Sequence, residues 1–108
     1  TGQSVTAGGT NVGYKNSDIN LLARLVSAEA KGEPYRGQVA VAAVVLNRIE
    51  SSSFPNTIPD VIYEPGAFSR VADGSLWNQP VSSAITATQE ALSGFLWSLV
   101  LLQPGQNQ

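Results

Sequence analysis

The sequence predicts a small, mainly α-helical single domain. Three observations carry that reading. Apolar residues recur at helical spacing from Ile19 onward, an apolar run at 39–46 is bounded by polar residues, and a second stripe begins behind Pro80. At 108 residues the chain is long enough for one core, and it is 43% hydrophobic and 13% charged, which is unlike a disordered chain.

Residues 1–16 are rich in Gly, Thr, Ser and Asn and read as a linker or mobile arm ahead of a domain at 17–108. Ser17 is a suitable N-cap, and Asp18 complements the dipole of the first turn. Ile19, Leu22, Val26 and Glu29 then share one helical stripe, with Leu21 and Leu25 beside it. Pro34 cannot continue this helix, which should end near Gly32. A second helix is expected over about 37–50. Its centre, VAVAAVVL, is apolar on every side, so it should be buried all round. The β-branched valines leave a strand as the competing local reading.

Residues 51–79 are broken by Pro55, Pro59, Pro65, Gly66 and Gly74. They read as loops with one short helix near 58–63, and Phe54, Phe68 and Trp77 are expected to pin them to the core. The third helix should cover about 80–93, starting at Pro80 and stopping at Gly94, with Val81, Ile85, Thr88 and Leu92 as its stripe. No internal repeat is visible.

Composition removes several functional classes. The net charge is −2, and no basic patch suggests a nucleic-acid partner. With no Cys and no His, a thiol nucleophile, a disulfide framework, a Ser–His–Asp triad and most zinc sites are excluded. No cofactor or metal is called for. The longest apolar runs are too short to span a membrane, and no basic start followed by an apolar run marks a signal peptide.

Chemistry must therefore rest on carboxylates, Tyr, Lys, Ser or Thr. Glu29 extends an apolar stripe, where burial would favour the protonated form that a general acid needs. Its plainer reading is a helix-end glutamate that reaches solvent past Lys31. Glu33 follows on a loop as a second carboxylate or a solvated charge. Asp73, in an Asp-Gly pair, is explained by a turn. Arg48 and Asn47 suit the end of a buried helix, as an acid partner and a carbonyl cap. Phe68 and Trp77 could stack on sugar rings, although aromatics in a small domain are more often core.

Several long words then appear in order: AEAKGEPYRGQVAVAAVVLNR, FPNT, VIYEPGAFS and DG. Over about 18–94 the chain resembles the SleB/CwlJ family of spore-cortex-lytic cell wall hydrolases. The resemblance implies a small lysozyme-like helical domain, related in architecture to lytic transglycosylases. It implies action in the extracytoplasmic spore envelope on cortex peptidoglycan, whose glycan strands contain muramic-δ-lactam. The glutamate of the A-E-A word, here Glu29, is the family's catalytic acid–base. Within the same words Glu33, Phe68, Ser69 and Asp73 are the candidate substrate-binding residues.

The C-terminus departs from the family. Members continue past the position of Gly94 into an aromatic segment with a Tyr-Asn-Pro word, whereas this chain has FLWSLVLLQPGQNQ. The domain is therefore expected to be incomplete at its C-terminus, through divergence, truncation or a change of reading frame. Phe95 to Leu102 expose too much apolar surface to stay in water, since burying each such side chain is worth about 1.5–3 kcal/mol. They should fill the gap left by the missing segment or form a homodimer interface at 95–102. The function expected from the resemblance is lytic transglycosylation of cortex glycan strands with Glu29 as the single acid–base group, and two rival functions remain open. One is a two-carboxylate hydrolase, pairing Glu29 with Glu33, Glu64 or Asp73 at roughly 5–9.5 Å. The other is a catalytically impaired relict that only binds peptidoglycan.

Overall fold

The computed structural model describes residues 14–51 and 56–101, with side chains described as far as Gly94. Helix α1 spans Asn16–Ala30, α2 Tyr35–Glu50, α3 Ile58–Ile62, α4 Ser69–Ala72 and α5 Ser82–Leu101, with a 3₁₀ turn at Ser75–Trp77 between α4 and α5. All regular structure among the described residues is helical. The valine-rich run at 39–46 is therefore helix, and the strand alternative falls.

Helices α1, α2 and α5 pack against one another in all three pairings, and α3 lies against α1 and α2. Their shared core holds Leu22, Leu25 and Val26 from α1, Ala42, Val45 and Leu46 from α2, Ile58, Val61 and Ile62 from α3, and Ala84, Ala87, Ala91 and Leu92 from α5. The small alanines on facing helices let the α2 and α5 backbones approach closely. Each fully buried Leu or Ile contributes about 1.5–3 kcal/mol.

Polar groups buried in this core are all bonded. Gln38 donates from Nε2 to the Glu33 carbonyl at 3.2 Å and accepts from the Ser83 hydroxyl at 2.9 Å. Ser27 accepts the backbone N–H of Val81 at 3.1 Å, and Thr88 donates to the Ala84 carbonyl at 2.8 Å. On the surface, Tyr35 donates to Glu90 at 2.8 Å. These bonds fix how α5 sits across α1 and α2.

Several expectations are corrected. Helix α1 opens at Asn16 from an N-cap at Lys15 that makes no side-chain bond, so Ser17 lies in the first turn. Tyr14, just ahead of α1, packs on the core. Burial, and then the charge of Glu50, raise the Tyr14 pKa. Helix α2 starts two residues earlier than expected, behind Pro34, whose fixed φ suits a helix start. It is not buried all round: Val44 is 40% exposed and Ala40 faces water. Among the described residues, Ala42, Val45 and Leu46 are the fully buried side chains of α2, and Val39, Val41 and Ile49 pack partly buried against the core.

Gly94 does not stop the last helix. It has no positive φ, and α5 continues through it to Leu101. An interior glycine costs only about 1 kcal/mol, which its helix-forming neighbours offset. The buried stripe of α5 is Ala84, Ala87, Thr88, Ala91 and Leu92, while Val81 and Ile85 are more than a third exposed. Val81, just ahead of α5, and Ile85 lie away from that stripe. Trp77 does not pin the loops at all, being 78% exposed; the buried Leu76 beside it does that work. The segment expected to be loops with one helix also holds α4 and the 3₁₀ turn. Phe54, residues 1–13 and the side chains of 95–108 lie outside the described residues, and so does the packing expected of the apolar tail. Among the described residues, no helix is long and apolar enough to cross a membrane.

Candidate active site

Glu29 stands in the last turn of α1, on the face that carries Leu22, Leu25 and Val26. Those three side chains are fully buried, but Glu29 is only half-buried. It sits where the core ends, and α4 is laid across that end. The backbone N–H of Arg70, in the first turn of α4, donates to Glu29 Oε2 at 3.3 Å. Among the described residues Oε1 has no hydrogen-bond partner. One carboxylate oxygen is thus held by a main-chain donor and the other is open.

The position of α4 is set from two sides. Phe68, its N-cap residue, packs on the core, and the Arg48 guanidinium lies 5.3 Å from the centre of its ring. This is cation–π geometry. On the other side, Arg70 pairs with Asp73 at 3.2 Å. Asp73 also accepts the Ser75 hydroxyl at 2.6 Å and the Ser75 N–H at 2.9 Å. The Ser75 hydroxyl and amide, and then Arg70, hold the Asp73 carboxyl below the usual aspartate pKa. Gly74 follows with φ +83°, a left-handed turn that a side chain would strain. The Asp-Gly turn expected from the sequence is present, and it fastens α4 to the 3₁₀ turn.

The sequence candidates divide. Glu29, Phe68, Ser69 and Asp73 come together around α4, with Ser69 exposed as its first residue. Glu33 is exposed on the α1–α2 turn, and its carboxylate has no bonding partner among the described residues. Sequence reasoning missed Arg70 and Arg24. Arg24 donates through Nη1 to the carbonyls of Leu76, Trp77 and Asn78 at 3.4, 3.2 and 3.1 Å, and through Nε to Asn20 at 2.8 Å. No local pattern announces either contact. A cleft of about 110 Å³ lies on the opposite face of α1, lined by Arg24, Ser27, Lys31, Arg70, Ser75 and Asn78 among others. Glu29 does not line it, but Arg70 touches both.

The chain is similar to known proteins over most of its length. It is 54% identical over 89 residues to the spore cortex-lytic enzyme of Bacillus cereus and 50% identical over 93 residues to that of Bacillus subtilis, covering 81% and 86% of this chain. It spans about a third of the length of those relatives, 34% and 30%. Among solved structures it is similar to the catalytic domain of the germination-specific lytic transglycosylase SleB of Bacillus anthracis. The TM-score is 0.72 at 52% identity, over 77% of this chain and 68% of that one. The lysozyme-like helical fold expected from the sequence is the fold of these SleB domains. A family model described as Cell Wall Hydrolase matches residues 32–99, beginning three residues after Glu29. With well over half of its length matched, the chain belongs to the cell wall hydrolase family.

Proposed function

We propose that this chain is the glycan-cleaving part of a germination enzyme of the spore cortex, and that Glu29 is its single acid–base group. The observation that carries the reading is the asymmetric carboxylate, with Oε2 held by the Arg70 N–H and Oε1 without a bonding partner among the described residues. An anchored carboxyl group has one orientation from which to deliver a proton, which is what general acid catalysis requires. The relatives' names point to lysis of the spore cortex. Cortex peptidoglycan, with its muramic-δ-lactam, is the substrate that the family resemblance implies.

The step follows. Protonated Glu29 gives its proton to the glycosidic oxygen as the bond from muramic C1 to that oxygen breaks. The leaving sugar departs with a new hydroxyl. The Glu29 carboxylate then takes the proton from the muramic C6 hydroxyl, whose oxygen closes on C1. The product is a 1,6-anhydro end, and Glu29 is protonated again. The carboxyl is regenerated, and no water is taken up.

A second reading is hydrolysis with Asp73 as base. It is favoured by the shared partner Arg70, whose N–H bonds Glu29 and whose guanidinium pairs with Asp73. Mass spectrometry of cortex fragments separates the two. Anhydro ends that vanish with Glu29→Gln support lytic transglycosylation. Reducing ends that vanish with Asp73→Asn support hydrolysis. Sacculi that bind the chain and stay intact show a binding domain instead.

A further inference from the structure

Trp77 is the most exposed large apolar side chain among the described residues, at 78%. An indole in water forgoes burial, and nothing in the fold requires it to be there. Its backbone, by contrast, is firmly held. Arg24 grips three successive carbonyls around it, the Trp77 N–H bonds the Gly74 carbonyl at 3.1 Å, and Leu76 is buried beneath. The ring therefore projects from a pre-organised base, which lowers the entropic cost of binding.

Its neighbours Ser75 and Asn78 line the cleft on α1, with Gln79 and Arg24. Trp77 does not itself line the cleft, but its exposed indole stands between Ser75 and Asn78 in sequence, so hydroxyl and amide groups and an apolar ring occur on one short segment, which the Arg24 guanidinium bonds. That chemistry matches a pyranose ring, whose C–H face stacks while its hydroxyl and acetamido groups hydrogen-bond. Arg70 lines the cleft, and its backbone N–H bonds Glu29.

We propose that Trp77 and this cleft form a saccharide subsite that seats an N-acetylated sugar of the strand, away from the bond being cleaved. This deepens the glycan-cleaving reading above and rests on it. A soluble N-acetylglucosamine oligomer is the probe, followed by NMR on the Trp77 indole N–H and the Asn78 and Gln79 side-chain amides of the whole chain. The expected result is a saturable shift of all three. Trp77→Ala should weaken binding roughly tenfold, and Trp77→Tyr should restore most of it. Because the ring is exposed, circular dichroism should be unchanged in both variants. Unmoved resonances at the highest oligomer concentration, or wild-type affinity in Trp77→Ala, would overturn the proposal. So would shifts produced only by a free peptide stem, which would make the cleft a carboxylate site. The readout does not depend on cleavage. An oligomer that binds at Trp77 alongside sacculi that stay intact would refute the enzymatic reading and leave the subsite standing.

Discussion

Glu29 and Arg70 are joined through the main chain: the Arg70 N–H meets Glu29 Oε2 at 3.3 Å across 41 residues of sequence. The contact uses the amide and leaves the guanidinium to Asp73. It couples the end of α1 to a helix of only four residues, so the orientation of the carboxylate depends on how α4 is held.

Glu29→Gln should lower cortex cleavage by at least about 10²-fold, the scale of a lost general acid. The fold should be unchanged, because the amide oxygen can still accept the Arg70 N–H. Wild-type cleavage in this variant would remove Glu29 from the mechanism. In Glu29→Ala the Arg70 amide loses its acceptor, and its hydrogen exchange should speed up.

Ala42 is fully buried in the core, so Ala42→Leu should overpack it and cost about 1–3 kcal/mol in urea unfolding. Ala43 is half-buried on the same helix, and its replacement should cost less. Equal effects at the two positions would contradict the packing described here.

Arg24→Ala strips three carbonyls of their shared donor. Part of that site is open to water, which can replace the bonds, so the loss should be near 1 kcal/mol. The effect should be local: faster amide exchange at 75–78 with the α1–α2 core protected as before. Uniform loosening across the protein would show that Arg24 supports more than this turn.

The acid limb of stability carries a contribution from Asp73. Its folded pKa lies below its unfolded one, because Ser75 and then Arg70 favour the carboxylate. The contribution is therefore present above the unfolded pKa and is lost as pH falls through the folded value. The Ser75 amide shift should titrate with a midpoint below that of an ordinary aspartate, and Asp73→Ala should flatten this part of the stability profile. A midpoint at or above the ordinary value would refute the assignment.

Gly74 adopts φ +83°, so Gly74→Ala should cost roughly 1–2 kcal/mol from backbone strain alone, since a Cβ there would touch nothing within 4 Å. Calorimetry on this variant beside Gly32→Ala, at a position without positive φ, separates strain from simple loss of flexibility.

The sequence by itself determined the helical class, the family, the order of α1, α2, α3 and α5, and the place of Glu29 at the end of an apolar stripe. These are local properties: a period of 3.6 residues and a run of words can be read wherever they occur. Only the tertiary structure decided that α5 passes through Gly94, that its alanines and not Val81 or Ile85 face the core, and that Trp77 stands in water. It also brought Arg70 to Glu29 and Arg24 to the carbonyls of 76–78. The physical reason is range. A bond between groups 41 to 54 residues apart depends on how whole helices settle against each other, and neither partner changes the periodicity of its own segment. Glycine likewise carries a preference of only about 1 kcal/mol, and the packing around it decides whether that preference ends a helix or is overridden.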